Sequence, residues 1–184
     1  AHLFASSHWG PLQGRAKVEF AADAPVLLTA AEAAAQEEKF RRFRTLANAR
    51  GNPEHGRELF TALCLTCHQH GGKGGQIGPA LDGLGHTGVE AILRNILTPS
   101  AAMEGAYRIF RVVTHDGTVH EGFLADNRPE AVVLRIPGAE DRRLARNTIR
   151  ESSYLRRSLM PEGLLDALPA TQVSDLFAYL KSIK

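Results

Sequence analysis

Cys64-Leu65-Thr66-Cys67-His68 is the stretch that decides how this chain of 184 residues is interpreted. Its two cysteines stand one helical turn apart, and an imidazole follows directly. This pattern is typical of covalent haem attachment, in which the thiols add to the vinyl groups of the haem and the histidine binds the iron. We therefore predict one covalently attached haem c, bound by Cys64 and Cys67, with His68 as the first axial ligand of its iron.

Two other kinds of site use the same cysteine spacing. A structural zinc site needs two further ligands, and only His68 and His70 are close in sequence. Because His68 directly follows Cys67, both are in a strained position for binding one tetrahedral ion. A redox-active dithiol needs a βαβ surrounding, which the flanking sequence does not predict. Haem attachment is the preferred interpretation, with zinc and dithiol sites as alternatives.

The second axial ligand of the iron separates electron carriers from haem enzymes. Pro161 favours an extended backbone at Met160, which suits a thioether directed at iron, so Met160 is the predicted second ligand. A histidine–methionine pair saturates the iron and raises its reduction potential, so such a site passes single electrons. An open or labile position would instead indicate a haem enzyme or gas sensor. The alternative ligands are Met103, His55, His70, His86, His115 and His120.

Gly78-Pro79 follows the motif at a suitable distance for a supporting role. A backbone carbonyl at this point would accept a hydrogen bond from the second ring nitrogen of His68, which fixes the tautomer and tunes the metal. An ordinary turn is the alternative interpretation. Between the motif and Gly78, the run Gly71–Gly75 contains too much glycine for a regular element, and we predict a flexible loop over a flat cofactor.

Helical signals flank the motif on both sides. Capping boxes and N-cap residues mark the starts of helices, and Asn52-Pro53 begins the helix that leads into Cys64. Phe40, Phe43 and Leu46 form an apolar stripe on the preceding helix. Five helical segments are predicted. The first begins at the box Thr29-Ala-Ala-Glu32 and runs to about Arg50, the second begins at Asn52, and the third begins at the box Thr87-Gly-Val-Glu90 and ends at Pro99. A short fourth segment follows Pro161, and the last begins at Thr171.

The pattern changes to short, β-branched segments between Tyr107 and Tyr154. Asp116-Gly117 is a strong signal for a hairpin turn, and Pro137-Gly138 is a second turn. Four or five short strands in so short a stretch predict a small antiparallel barrel or sheet, with some likeness to SH3-like and Sm-like barrels. The predicted strands are Tyr107 to Thr114, Val119 to Ala125, Ala131 to Ile136, and one or two between Arg142 and Ile149.

Composition limits the classes of function. The net charge of +2 is too small to indicate nucleic-acid binding, and no apolar stretch is long enough to span a membrane. Both cysteines belong to the motif, so a disulfide is not expected. A basic run approaches Met160, either as a solvated face or as a surface that attracts an acidic redox partner. Its members are Arg142, Arg143, Arg146, Arg150, Arg156 and Arg157.

Several residues around these motifs resemble class I cytochromes c. They are Gly56, Phe60, Gly78-Pro79, Met160-Pro161, Leu176 and Tyr179-Leu180. Longer segments are similar to the haem-binding cytochrome domains of planctomycete and verrucomicrobial (PVC) bacteria. These segments are Gly56-Arg-Glu-Leu-Phe60, Ile77-Gly-Pro-Ala-Leu81, Asn95-Ile-Leu-Thr-Pro-Ser100, Asp116-Gly117 and Ser158-Leu-Met-Pro-Glu-Gly-Leu-Leu165. The resemblance covers roughly residues 50 to 184.

The resemblance implies a mainly α fold, in which the first and last cytochrome helices cross at the glycine and the aromatic residues, with an inserted antiparallel β subdomain. We expect an N-terminal tail and helix in residues 1–50, a cytochrome domain in 51–106 and 153–184, and the β subdomain in 107–152. Covalent haem attachment to such motifs generally takes place outside the cytoplasmic membrane in bacteria, so we expect an exported, periplasmic protein. Its partner would be a redox protein or a fused dehydrogenase domain, by analogy with related arrangements. Alternatively, the β subdomain is a docking module of a larger redox enzyme.

Overall fold

The computed structural model of the chain describes residues 29–101 and 107–184. The predicted tail over residues 1–28 and the alternative ligand Met103 lie outside this part of the chain. Within it, the four α-helices are α1 Ala30–Asn48, α2 Pro53–Leu63, α3 Val89–Leu97 and α4 Ala170–Leu180. The seven strands are β1 Gln69–His70, β2 Lys73–Gly74, β3 Arg108–Thr114, β4 Val119–Asn127, β5 Ala131–Arg135, β6 Arg142–Ala145 and β7 Ile149–Ser158.

The starts of α1 and α2 confirm two of the predicted caps. Thr29 and Glu32 form a reciprocal capping box, in which the Thr29 hydroxyl accepts from the Glu32 amide and the Glu32 carboxylate accepts from the Thr29 amide. Asn52 caps α2 by accepting from the Glu54 amide at 3.0 Å, with Pro53 in the first helical position. Side-chain oxygens thus satisfy amides that have no partner inside either helix.

Three other helix predictions are wrong in detail. The N-cap of α3 is Gly88, at φ 85°, and it has no side-chain cap, so the predicted box at Thr87 does not form. The last helix begins at Ala170, one residue before the predicted cap at Thr171. The stretch after Pro161 folds as consecutive turns instead of a helix. At α3 and after Pro161 a local turn replaces the predicted helical start, whereas α4 simply begins earlier and contains Thr171.

The four helices share one apolar core, and α2 crosses α4 at its centre. A Cβ on Gly56 would lie 2.6 Å from the carbonyl carbon of Asp175 and 2.9 Å from the Cβ of Tyr179. Four residues later, the ring centroids of Phe60 and Tyr179 are 5.1 Å apart. The expected crossing at a glycine and aromatic residues is therefore confirmed. The predicted stripe of α1 also joins this core through buried Phe43.

The strands β3 to β7 form an antiparallel sheet in the order β6-β5-β4-β3-β7. The β3–β4 turn follows its sequence signal, because an Asp116 carboxylate oxygen accepts from the Thr118 amide at 3.0 Å and Gly117 takes φ 85°. One face of the sheet has its own buried core. The core residues are Phe110, Val112, Val132, Leu134 and Leu144.

The prediction of a mainly α fold is wrong. Helices hold 38% of the described residues and strands 26%, and the five-stranded sheet has a separate core, so the chain mixes α and β structure. The largest difference is β7, which continues to Ser158. Its sequence, Ile-Arg-Glu-Ser-Ser-Tyr-Leu-Arg-Arg-Ser, lacks the strict apolar alternation by which strands are recognised. Its pairing with β3 provides the stabilisation that the local sequence does not indicate.

Candidate haem-attachment site

The Cys-x-x-Cys-His motif continues directly from the end of α2. The Cys64 amide donates to the Phe60 carbonyl at 2.8 Å, and the His68 amide donates to the Cys64 carbonyl at 2.9 Å. Helix-like hydrogen bonds therefore extend through the motif and hold both thiols on one turn. Both cysteines are half-buried, and Cys64 packs against the core shared by the helices.

The protonation of the thiols bears on the dithiol alternative. Burial raises the pKa of Cys64 to about 12, and the nearby Cys67 adds to this effect. Burial also raises the pKa of Cys67. A redox-active dithiol needs a thiolate with a lowered pKa. The direction of both shifts therefore disfavours a thioredoxin-like role for these cysteines.

The ring of His68 is held by the segment that the sequence indicated. His68 Nδ1 lies 2.8 Å from the carbonyl oxygen of Pro79. A carbonyl can only accept, so Nδ1 carries the proton and Nε2 presents a free lone pair, which is the tautomer that a metal ligand needs. A Cβ on Gly78 would lie 2.5 Å from Cε1 of this ring, so only glycine permits such close approach.

The glycine-rich run after His68 differs from its prediction. We expected no regular element in it, but Lys73 and Gly74 form β2, which pairs with β1 as a short antiparallel ribbon. The ribbon folds onto the backbone of the motif, where a Cβ on Gly75 would lie 2.9 Å from the carbonyl carbon of Thr66. The Gly78 amide donates to the Cys67 carbonyl at 2.8 Å. Glycine is needed here for close packing of backbone on backbone.

Asp82 joins the two loops beside His68, and the sequence analysis did not identify it. Its Oδ1 accepts from the Gly71 amide at 2.9 Å and lies 3.2 Å from His70 Nδ1. The Gly71 amide is also the main reason why the pKa of Asp82 is lowered. A neighbouring bond, from the Leu81 amide to the Gln69 carbonyl, measures 2.8 Å. These contacts hold the Pro79 segment against the residues that follow the motif.

The structure places Met160 on a different segment from the motif, two residues beyond the end of β7. Met160 is half-buried, and its amide donates to the Ser158 hydroxyl at 3.1 Å. The Ser158 amide in turn donates to the hydroxyl of Ser100, which follows α3, at 3.3 Å. The segment before Met160 is thus tied to both β7 and the region after α3. The binding of Met160 to iron stays a prediction.

Three of the alternative histidine ligands already make polar contacts. His55 Nδ1 lies 2.7 Å from a carboxylate oxygen of Asp175, and His120 Nδ1 accepts from the Arg142 guanidinium at 3.2 Å. His70 lies beside Asp82, as described above.

Part of the basic run near Met160 already forms an ion pair, because Arg157 pairs with Glu121 at 2.8 Å on the sheet. This pairing agrees better with a solvated face than with a free binding surface.

The residues present fit a covalently bound haem. Two thiols are available for covalent attachment and one imidazole for the iron, and Gly78 leaves room for that imidazole, which a carbonyl orients. Among residues 29–101 and 107–184, no group of three or more His, Cys, Asp or Glu side chains is arranged to hold a metal ion alone. In the same ranges, the helices are all too short or too polar to cross a membrane.

Comparison with known proteins gives one family match. Residues 53–117 match the model of the Cytochrome c family, a range that contains α2, the motif, α3 and β3. The match supports a c-type cytochrome with haem-binding and electron-transfer function, and it implies covalently bound haem c with iron. Cytochrome c domains are typical of exported proteins. The matched range ends before Met160. No curated protein matches the chain.

Proposed function

We propose that this protein is a monohaem c-type cytochrome that transfers single electrons. Cys64 and Cys67 would hold the haem covalently, while His68 and Met160 would be the ligands of its iron. The observation that carries this proposal is the 2.8 Å contact between His68 Nδ1 and the Pro79 carbonyl, which prepares Nε2 for a metal. When bound, the haem supplies a one-electron iron couple whose potential the histidine–methionine pair raises.

The protein's own residues would orient this group and exclude water from it. The Pro79 carbonyl fixes the orientation of the His68 ring, and the ribbon of β1 and β2 limits movement of the motif backbone. Like Cys64, the apolar side chains of Leu65, Leu81 and Leu84 pack against the helical core. A dry surrounding of this kind disfavours the additional charge of the ferric state and thereby raises the potential.

We also propose a division of the chain that follows these elements. Residues 51–106 and 153–184 form the cytochrome domain, 107–152 form the β subdomain, and 1–50 form a tail and helix. Two observations refine these limits. Strand β7 continues to Ser158, so the β subdomain extends to that residue. Helix α1 shares the apolar core of α3 and α4, which supports assigning it to the helical domain.

For the setting of this function, we propose a PVC-type cytochrome domain in the periplasm. It would accept electrons from a dehydrogenase, either separate or fused, and pass them to a downstream acceptor. The motif residues support this proposal because c-type haem attachment is typical of exported proteins. The similarity of the segments around Gly56, Ile77 and Met160 to PVC cytochrome domains supports the subfamily.

Mass spectrometry and near-infrared spectroscopy test the ligands. After denaturation, wild-type protein should retain the mass of one haem, whereas the C64A/C67A double variant should lose it. A far-red sulfur-to-iron charge-transfer band should be present in oxidised wild type and M103L and absent from M160A. A band that is absent from M103L and present in M160A would identify Met103 as the ligand. If the wild-type protein carried no covalently bound haem, the proposed function would be refuted.

A further inference from the structure

Helix α1 is joined by two ion pairs to the segment that carries Met160. Lys39 Nζ donates to Asp166 Oδ2, and Arg42 Nη2 lies 3.2 Å from Asp166 Oδ1. The two cations stand three residues apart on α1, so they lie on the same face of the helix. Because each cation takes a different carboxylate oxygen, one helix binds both oxygens of Asp166.

This part of α1 is itself fixed to the helical core. Phe43 is only 2% exposed, and the central carbon of the Arg42 guanidinium lies 4.5 Å from the centroid of its ring. One turn further along α1, the Ala47 carbonyl accepts from Lys181 Nζ at 3.0 Å. The two cations therefore project from a well-anchored stretch of helix and offer Asp166 a fixed position.

Asp166 lies in the irregular connection between β7 and α4, which also contains Met160. Residues 159–169 of this connection include neither helix nor strand. Before Met160 it is tied through Ser158, and after Met160 it is tied through Leu165, which is 1% exposed in the helical core, and through Asp166. Irregular surface segments of this kind open locally at a low cost in free energy. The ion pairs of Asp166 thus stand where they resist a movement of the segment that would withdraw Met160.

We propose that Lys39 and Arg42 act through Asp166 as positioning residues that keep Met160 on the haem iron. This inference rests on the proposed function, because it requires Met160 to be a ligand. Helix α1 lies outside the range that matches the Cytochrome c family, and it would nevertheless control how often the position of Met160 on the iron opens. An exposed ion pair shifts an equilibrium by at most about fivefold, and salt screens it. Opening of the site is therefore sensitive to ionic strength.

Imidazole binding to the oxidised, haem-loaded protein measures this opening. Imidazole takes the position that Met160 vacates, so its apparent dissociation constant falls by the factor by which the open population rises. We expect Asp166→Asn to lower this constant roughly fivefold at low salt. Glu90→Gln is the matched control, because it removes the exposed ion pair with Arg44, at 3.3 Å, that joins α1 to α3. Its imidazole affinity should equal that of the wild type.

High salt and the partner cations complete the test. Molar salt should bring the wild type to the affinity of Asp166→Asn and leave that variant unchanged, and the double variant Lys39→Gln/Arg42→Gln should behave as Asp166→Asn does. Equal affinities of wild type and Asp166→Asn, a wild-type affinity independent of salt, or an equal gain in Glu90→Gln would overturn the positioning role. With the sulfur-to-iron band present in the wild type, those results leave the cytochrome function standing. A wild type without that band would refute Met160 as ligand and this inference together.

Discussion

The crossing of α2 and α4 makes a sharp prediction for Gly56→Ala. The new Cβ would lie 2.6 Å from the Asp175 carbonyl carbon and closer still to its oxygen. An ordinary van der Waals contact begins at 3.4 Å, so the two backbones must separate by about 0.8 Å or more in a close-packed interior. Because the obstacle is the backbone of α4, a rotation of one side chain cannot relieve it.

Two opposing effects set the expected size of the change. Replacing glycine by alanine inside a helix contributes about 1 kcal/mol of stability by itself. Overpacking a well-packed core costs about 1–3 kcal/mol, and a backbone collision belongs at the upper end of that range. The net expectation is a loss of about 2 kcal/mol. For a protein of this size, such a loss lowers the melting temperature by about 4–8 °C.

Urea unfolding of the haem-loaded protein, followed by far-ultraviolet circular dichroism, measures this loss. Glu58→Ala is the control, because Glu58 is an exposed position of the same helix. Its effect should remain within about 0.5 kcal/mol. If Gly56→Ala were as stable as wild type, or more stable as helix propensity alone predicts, the close crossing of α2 and α4 would be refuted.

Three further predictions follow from the described contacts. Gly78→Ala places a Cβ 2.5 Å from the His68 ring, so the ring should tilt and the low-spin electron paramagnetic resonance signal should change; an unaltered signal would contradict this geometry. The hydrogen bond from the Asn52 amide is the main reason why the pKa of Asp175 is lowered in the folded protein. The Asp175 carboxylate therefore stabilises the fold at pH values above its unfolded pKa, and this stabilisation is lost as the pH falls through the lower folded pKa. Asp175→Asn should therefore cost about 1–3 kcal/mol at pH 7 and converge with wild type in acid, whereas parallel stability curves would argue against this role. Thr29→Ala removes a capping hydroxyl and should cost about 1 kcal/mol in thermal unfolding; no loss would mean that the cap is not formed in solution.

Local hydrogen bonding determined which helix starts could be predicted. Thr29 and Asn52 cap their helices as their sequence patterns indicate, because the donors that they satisfy lie two or three residues away. Thr87 has an equally good pattern but does not act as a cap. The next residue, Gly88, takes a backbone conformation at φ 85° and itself occupies the N-cap position. A capping pattern is therefore overridden where a glycine offers the chain another turn.

Contacts between distant segments account for what the sequence did not reveal. Strand β7 is stabilised by its pairing with β3, roughly forty residues earlier, and not by an alternating pattern of its own. Asp82 holds Gly71 only because the turn of the β1–β2 ribbon brings that amide to it. By contrast, the motif and Pro79 could be predicted, since the chemistry of the motif requires an oriented imidazole.

Carbon monoxide binding to the ferrous protein tests the central claim most directly. An iron held by both His68 and Met160 has no open position, so an electron carrier should show an unchanged reduced spectrum on exposure to carbon monoxide. Met160→Ala, which opens the position, is the positive control and should respond at once. Rapid carbon monoxide binding by the wild-type protein would contradict the account and indicate a haem enzyme or gas sensor.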